Sequence, residues 1–119
     1  MHGISAATDL NFFLDRILEQ VCIGCSEAIL RFGDDVSITV MTDISHTSSA
    51  GELTAIYKTI KPSASMLVNL INLSVKKASA MPPGTLILEF SNGDKLEIYD
   101  TSSAYESYTI THGDKTIVV

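Results

Sequence analysis

Apolar residues recur along this chain with two different periods. From Asp9 to Leu18, Leu10, Phe13, Leu14 and Ile17 fall at i, i+3, i+4 and i+7. That spacing gathers apolar groups on one helical face, and Thr8 or Asp9 can cap the first free N–H groups. The period then shortens to two. Val21 and Ile23 read as a strand with Gly24 to Ser26 as its turn, and Ala28, Leu30 and Phe32 alternate with Ile29 and Arg31. After Gly33-Asp34-Asp35, Val36, Ile38 and Val40 alternate with Ser37 and Thr39, which predicts a hairpin. Asp43 to Gly51, rich in Ser, Thr and His, follows neither period and reads as a loop.

The second half repeats the theme. Leu53 to Ile60 reads as a strand with weakly separated faces. Ser63 is a natural N-cap, and Met66, Leu67, Leu70 and Ile71 predict a second helix running to about Leu73. Val75 to Met81 reads as a strand, and Pro82-Pro83-Gly84 as a stiff turn. Leu86, Leu88 and Phe90 then alternate with Ile87 and Glu89. Asn92-Gly93 readily supplies the two positive φ values of a type I′ turn, so Leu96 and Ile98 are predicted to pair back. A last hairpin takes Tyr108 to Ile110, a turn at His112 to Asp114, and Thr116 to Val119.

A shift of 58 residues lays Leu10 on Val68, Phe13 on Ile71, Ile29 on Ile87, Leu30 on Leu88, Phe32 on Phe90, Ile38 on Leu96 and Val40 on Ile98. This predicts an internal repeat, residues 8–42 on 66–100, with a groove between the two units. The expected architecture is a single α+β domain over residues 1–119, built of two short helices, each followed by an antiparallel meander. With 119 residues and 45% hydrophobic composition, the chain can bury a core of its own.

Charge narrows the partners. The net charge of -6 opposes binding to phosphate backbones, whose affinity comes largely from Lys and Arg, so nucleic acid is excluded and a basic protein favoured. No apolar run approaches the ~20 residues that a membrane helix needs. Met1 to Leu10 lack the basic and apolar regions of a secretion signal, so the expectation is a cytoplasmic protein without a membrane partner.

Candidate chemistry is sparse. Cys22-Ile23-Gly24-Cys25 has the C-x-x-C spacing of a zinc knuckle or redox dithiol. The three histidines, His2, His46 and His112, are too scattered to complete a metal site, and the cysteines lie between strands rather than at a helix N-terminus. Buried or turn thiols kept reduced are expected, with no metal and no cofactor. The carboxylates Asp34, Asp35, Asp94, Glu97, Asp100, Glu106 and Asp114 fall on turns and outward strand positions, where solvation accounts for them. No nucleophile elbow and no glycine-rich phosphate loop is present, so no catalytic residue is assigned. Tyr105, Glu106 and Tyr108 are the candidate partner-binding residues, because tyrosine brings a large contact area and a hydroxyl at small entropic cost.

The segments Leu86 to Gly93, Leu96 to Asp100 and Tyr105 to Ile110 resemble a family of short bacterial proteins of unknown function. That family has a Phe-x-Asn/Asp-Gly hairpin followed by a Tyr-Glu-Ser-Tyr/Trp-x-Ile motif, and Ile17 to Val40 resembles it as well. Its motifs are structural and carry no catalytic assignment. Small size and acidity are similar to those of immunity proteins of bacterial toxin systems, an analogy of style. The functional expectation is a non-enzymatic protein-binding domain, in its most concrete form an immunity protein neutralising a basic toxin. Its rival is a small-molecule or metal-binding regulatory domain. Homo-oligomerisation is compatible with either.

Overall fold

The computed structural model describes residues 3–57, 67–101 and 107–119. Among these residues ten strands form two antiparallel sheets. They are β1 (Leu18–Ile23), β2 (Ala28–Phe32), β3 (Val36–Val40), β4 (Ile44–Thr47), β5 (Leu53–Tyr57), β6 (Val75–Met81), β7 (Thr85–Phe90), β8 (Lys95–Ile98), β9 (Tyr108–His112) and β10 (Lys115–Val118). The first sheet has the order β1-β2-β3-β9-β10 and the second β5-β4-β8-β7-β6. This corrects the α+β expectation: the chain is nearly all-β, and among the described residues no α-helix forms.

The two predicted helices shrink to single turns for one physical reason. The first is the 3-10 turn Asn11–Phe13, in which Leu10 and Phe13 are buried while Leu14 and Ile17 remain exposed. Residues 67–70 form the matching 3-10 turn, with Leu67 and Leu70 buried and Val68 and Ile71 exposed. In such a turn only i and i+3 share a face, so half of the apparent apolar stripe never reaches the core. Asp15 (φ 65) and Asn72 (φ 77) then turn the chain left-handed, a conformation Asp and Asn tolerate, and each turn leads into a strand. An isolated helix of ten residues is marginal, and strand pairing from Leu18 and Val75 onward wins. The part of the predicted second helix before Leu67, and the predicted strand beyond Tyr57, lie outside the described residues.

Two further expectations change. Asp43 to Gly51 is largely not a loop, because β4 inserts beside β8 and buries Ile44, Ser45 and His46. The Asn92-Gly93 turn has positive φ only at Gly93, where the Gly93 N–H donates to Phe90 O at 2.9 Å and Phe90 N–H to Asp94 O at 2.8 Å. These bonds describe a three-residue loop in which the left-handed glycine makes a bulge. Two positive φ values occur instead in the first half, at Asp34 and Asp35.

The two sheets are built on one register. β2 pairs with β3 as Ala28↔Val40 and Leu30↔Ile38, and β7 pairs with β8 as Leu86↔Ile98 and Leu88↔Leu96, 58 residues on. Both outer hairpins carry an irregularity at the same place, Leu18/Gln20 in β1 and Val75/Lys77 in β6, here 57 residues apart. The units meet at the bridge Ile17↔Ser74. Around it the bonds are reciprocal: Leu18 N to Leu73 O and Val75 N to Arg16 O, Asp15 N to Val75 O and Asn72 N to Leu18 O. Such reciprocity describes an approximate twofold axis through this bridge.

Each unit lends its last hairpin to the other sheet. β4 leaves β3 and pairs with β8, whereas β9 leaves β8 and pairs with β3. The core lies between the inward rows of the two sheets, with Phe13, Leu18, Leu30, Ile38 and Ile44 among the residues from one half and Leu70, Val75, Leu88, Leu96 and Ile98 from the other. Phe13 closes one end edge-on to Phe32 at 5.6 Å between ring centroids. Among the described residues no helix is long and apolar enough to cross a membrane.

Candidate functional site

Three polar clusters and the sheet edge at β10 could carry function. The first cluster is interior. His46 Nε2 lies 2.9 Å from Asp94 Oδ2 on the inward face of the second sheet. Burial works to raise the Asp94 carboxyl, but hydrogen bonds involving His46 and Asn92 and the attraction of His46 outweigh it, leaving the group below its ordinary value. The pair is a structural tie between β4 and the start of β8.

On the outward face, Ser45 Oγ is 2.8 Å from the Tyr99 hydroxyl, which donates to Glu97 Oε2 at 2.7 Å. Burial, together with the Glu97 and Asp43 charges, holds the Tyr99 phenol above its ordinary value despite an opposing bond with Ser45. It is therefore a donor at neutral pH. Ser45 and His46 are consecutive on a strand, so their side chains point to opposite faces and no serine–imidazole pair arises.

In the third cluster Asp100 accepts from Ser107 Oγ at 2.7 Å and from Gly3 N at 3.2 Å. Burial is again overridden by its hydrogen bonds, including those from Ser107 and the Gly3 backbone, leaving the carboxyl below its usual range. Ile4 N donates to Pro83 O at 2.7 Å, so this carboxylate helps strap the N-terminal segment onto the β6–β7 turn.

The residues singled out from sequence disperse. Tyr108 is fully buried, its hydroxyl donating to Gly84 O at 2.8 Å, and burial with the Asp100 charge pushes its phenol far up. It is a packing residue of β9. Tyr105 and Glu106 lie outside the described residues. Cys22 is half-buried on β1 and Cys25 exposed in the following turn, both as free thiols. Among the described residues no three His, Cys, Asp or Glu side chains converge as a metal site would require.

Concave places also lie on the first sheet. An open groove of about 760 Å³ runs past Glu19, Arg31, Asp34, Asp35 and Thr111, with Arg16 already paired to Asp34 at 2.7 Å. A smaller pocket of about 230 Å³ lies under the inward face of the β9–β10 hairpin. Phe12, Ile110 and Ile117 supply its apolar wall, and Asp9, His112 and Lys115 its polar rim. Phe12 stacks on His112 with 4.4 Å between ring centroids.

The pocket adjoins an open edge. Val119 N donates to Tyr108 O at 2.9 Å, which sets the alternation of the ladder. Residues 115, 117 and 119 therefore bond toward β9, and the backbone groups of Thr116 and Val118 point outward. No hydrogen bond occupies these outward groups among the described residues. Lys115, Thr116 and Val118 are all exposed, and the strand carries no proline and no bulge. Sequence reasoning predicted this hairpin but could not mark it as an edge, because strand order is set by which strand lies beside β9. Comparison with family models, curated proteins and solved structures finds no match to this chain.

Proposed function

We propose that this chain is a non-enzymatic protein-binding domain that receives an extended segment of its partner along β10. The observation that carries this reading is the open edge, where Thr116 and Val118 offer two donors and two acceptors in strand geometry. Of the devices that usually blunt such an edge, β10 has Lys115 and its short length but no proline and no bulge, and a strand from a partner satisfies the groups left open. The -6 net charge favours a basic partner, and neutralisation of a basic toxin by an immunity protein is the concrete form we favour.

The test is affinity capture from the native host with the wild-type chain and with Val118→Pro as parallel baits, followed by titration of the purified partner. Proline at 118 removes an outward N–H while sparing the β9 ladder. The expected result is a partner whose affinity falls at least about tenfold in the variant, with the Thr116 and Val118 amides protected from exchange in the wild-type complex. A partner retained equally by both baits, leaving those amides unprotected, would overturn the reading.

A further inference from the structure

We infer that the pocket beneath β9–β10 is the side-chain pocket of this edge, and that it selects a partner segment with an apolar residue opposite Ile117. The inference rests on the strand-addition reading and adds register and residue class to it. An antiparallel strand laid beside β10 bonds to Thr116 and Val118. Its residue opposite Ile117 therefore sits at a non-hydrogen-bonded position, where paired side chains approach most closely. Ile117 points inward and lines the pocket with Phe12 and Ile110, so that partner residue faces the same pocket. Backbone pairing then provides affinity and the pocket provides choice, the division of labour usual for strand addition.

The occupant is a segment of another protein rather than a second copy. Two four-residue edges paired through this chain's own β10 would bring together copies that each carry -6. Four-residue edges also bury far less than the roughly 1,200–2,000 Å² of a stable interface. Asp9 on the pocket rim and Asp114 just before the edge complement a basic residue in the segment, while the residue that lands opposite the exposed Lys115 must be acidic or uncharged. The volume of about 230 Å³ fits a single side chain of the Ile or Phe class.

The probe is a fluorescent Lys-Thr-Xaa-Thr-Glu peptide with Xaa as Ile, Phe, Gly or Asp, its glutamate placed to meet Lys115, followed by anisotropy and by amide shifts of Thr116 and Val118. Peptides with Ile or Phe are expected to bind about tenfold or more tightly than those with Asp. Phe12→Ala should erase that preference while edge pairing persists, and Val118→Pro should weaken all four peptides. If Phe12→Ala lowers the melting temperature, Ile117→Thr at the other wall serves the same purpose. Binding through the edge without dependence on Xaa would overturn the pocket assignment and leave the edge intact. No perturbation of Thr116 or Val118 by any peptide, together with failure to capture a partner, would overturn both. Self-association that protects those amides would assign the edge to a second copy and also overturn the inference.

Discussion

The two sheets share a register and differ at the places where one has become polar. Leu30↔Ile38 is matched by Leu88↔Leu96, yet Ile110, next to Ile38, is matched by His46, and Val36 by Asp94. Outward, the first sheet carries the row Gln20, Arg31, Ser37, Thr111 and Thr116, whereas the second alternates Lys77, Glu89 and Lys95 before Thr47. Cross-strand opposite charges give the second sheet a solvated face. The first has a hydroxyl-rich face and, at β10, an edge with one charged residue. The comparison teaches that backbone pairing tolerates wide changes of chemistry once the inward rows are kept, so one half can be specialised without disturbing the other.

The largest expected effect tests the shared register. Leu30→Ala and Leu88→Ala remove fully buried side chains at matched positions, and each should cost about 3 kcal/mol in urea denaturation. Costs differing by more than about 1.5 kcal/mol would show that the two sites relax unequally and would break the equivalence.

Next comes the polar substitution itself. Asp94→Val takes the carboxylate from His46 and should destabilise by about 2 kcal/mol. The double variant His46→Ile with Asp94→Val restores the chemistry of the first sheet and should recover most of that loss. A double-mutant cycle without coupling would mean that the pair contributes nothing specific.

The loops sharpen the comparison further. Gly93 has φ +92, and a Cβ there would lie 2.9 Å from the Ser49 Cβ, whereas Gly113 has φ +61 with nothing within 4 Å. Alanine at 93 should therefore cost more than alanine at 113, where only the roughly 1 kcal/mol of left-handed strain applies. Equal melting temperatures of the two variants would contradict this ranking.

Acid gives the smallest effect. Asp94 and Asp100 are held below their ordinary values in the folded chain, so their contribution is complete above the unfolded carboxylate range and is lost as pH falls through the lower folded values. Both belong to the second half, and their counterparts 58 residues earlier are Val36 and Thr42. On acidification below about pH 4, the amides of β4 and β8 should lose exchange protection before those of β2 and β3. Simultaneous loss would place acid sensitivity elsewhere.

The strands were legible where alternation was strict, as at Ala28 to Val40 and Leu86 to Ile98, because a half-buried strand must alternate. His46 gave no such signal. Its segment reads as polar, and it becomes a core strand only because β8 lies beside it and Asp94 supplies a partner. Tyr108 misled in the opposite sense: its tyrosine-rich neighbourhood resembles a contact surface, but its hydroxyl is satisfied inside by Gly84 O. Leu14 and Ile71 completed helical patterns that the fold leaves in solvent.

The sequence by itself determined the strictly alternating hairpins, Ala28 to Val40 and Leu86 to Ile98, since these depend on residues close together in the chain. Tertiary structure alone decided that β4 and β9 exchange sheets, that His46 is interior and that β10 is an edge. Each depends on contacts between residues far apart in sequence. Strand alternation specifies which face is buried but not which neighbour supplies the hydrogen bonds, and that choice is made when the two apolar faces close on one another.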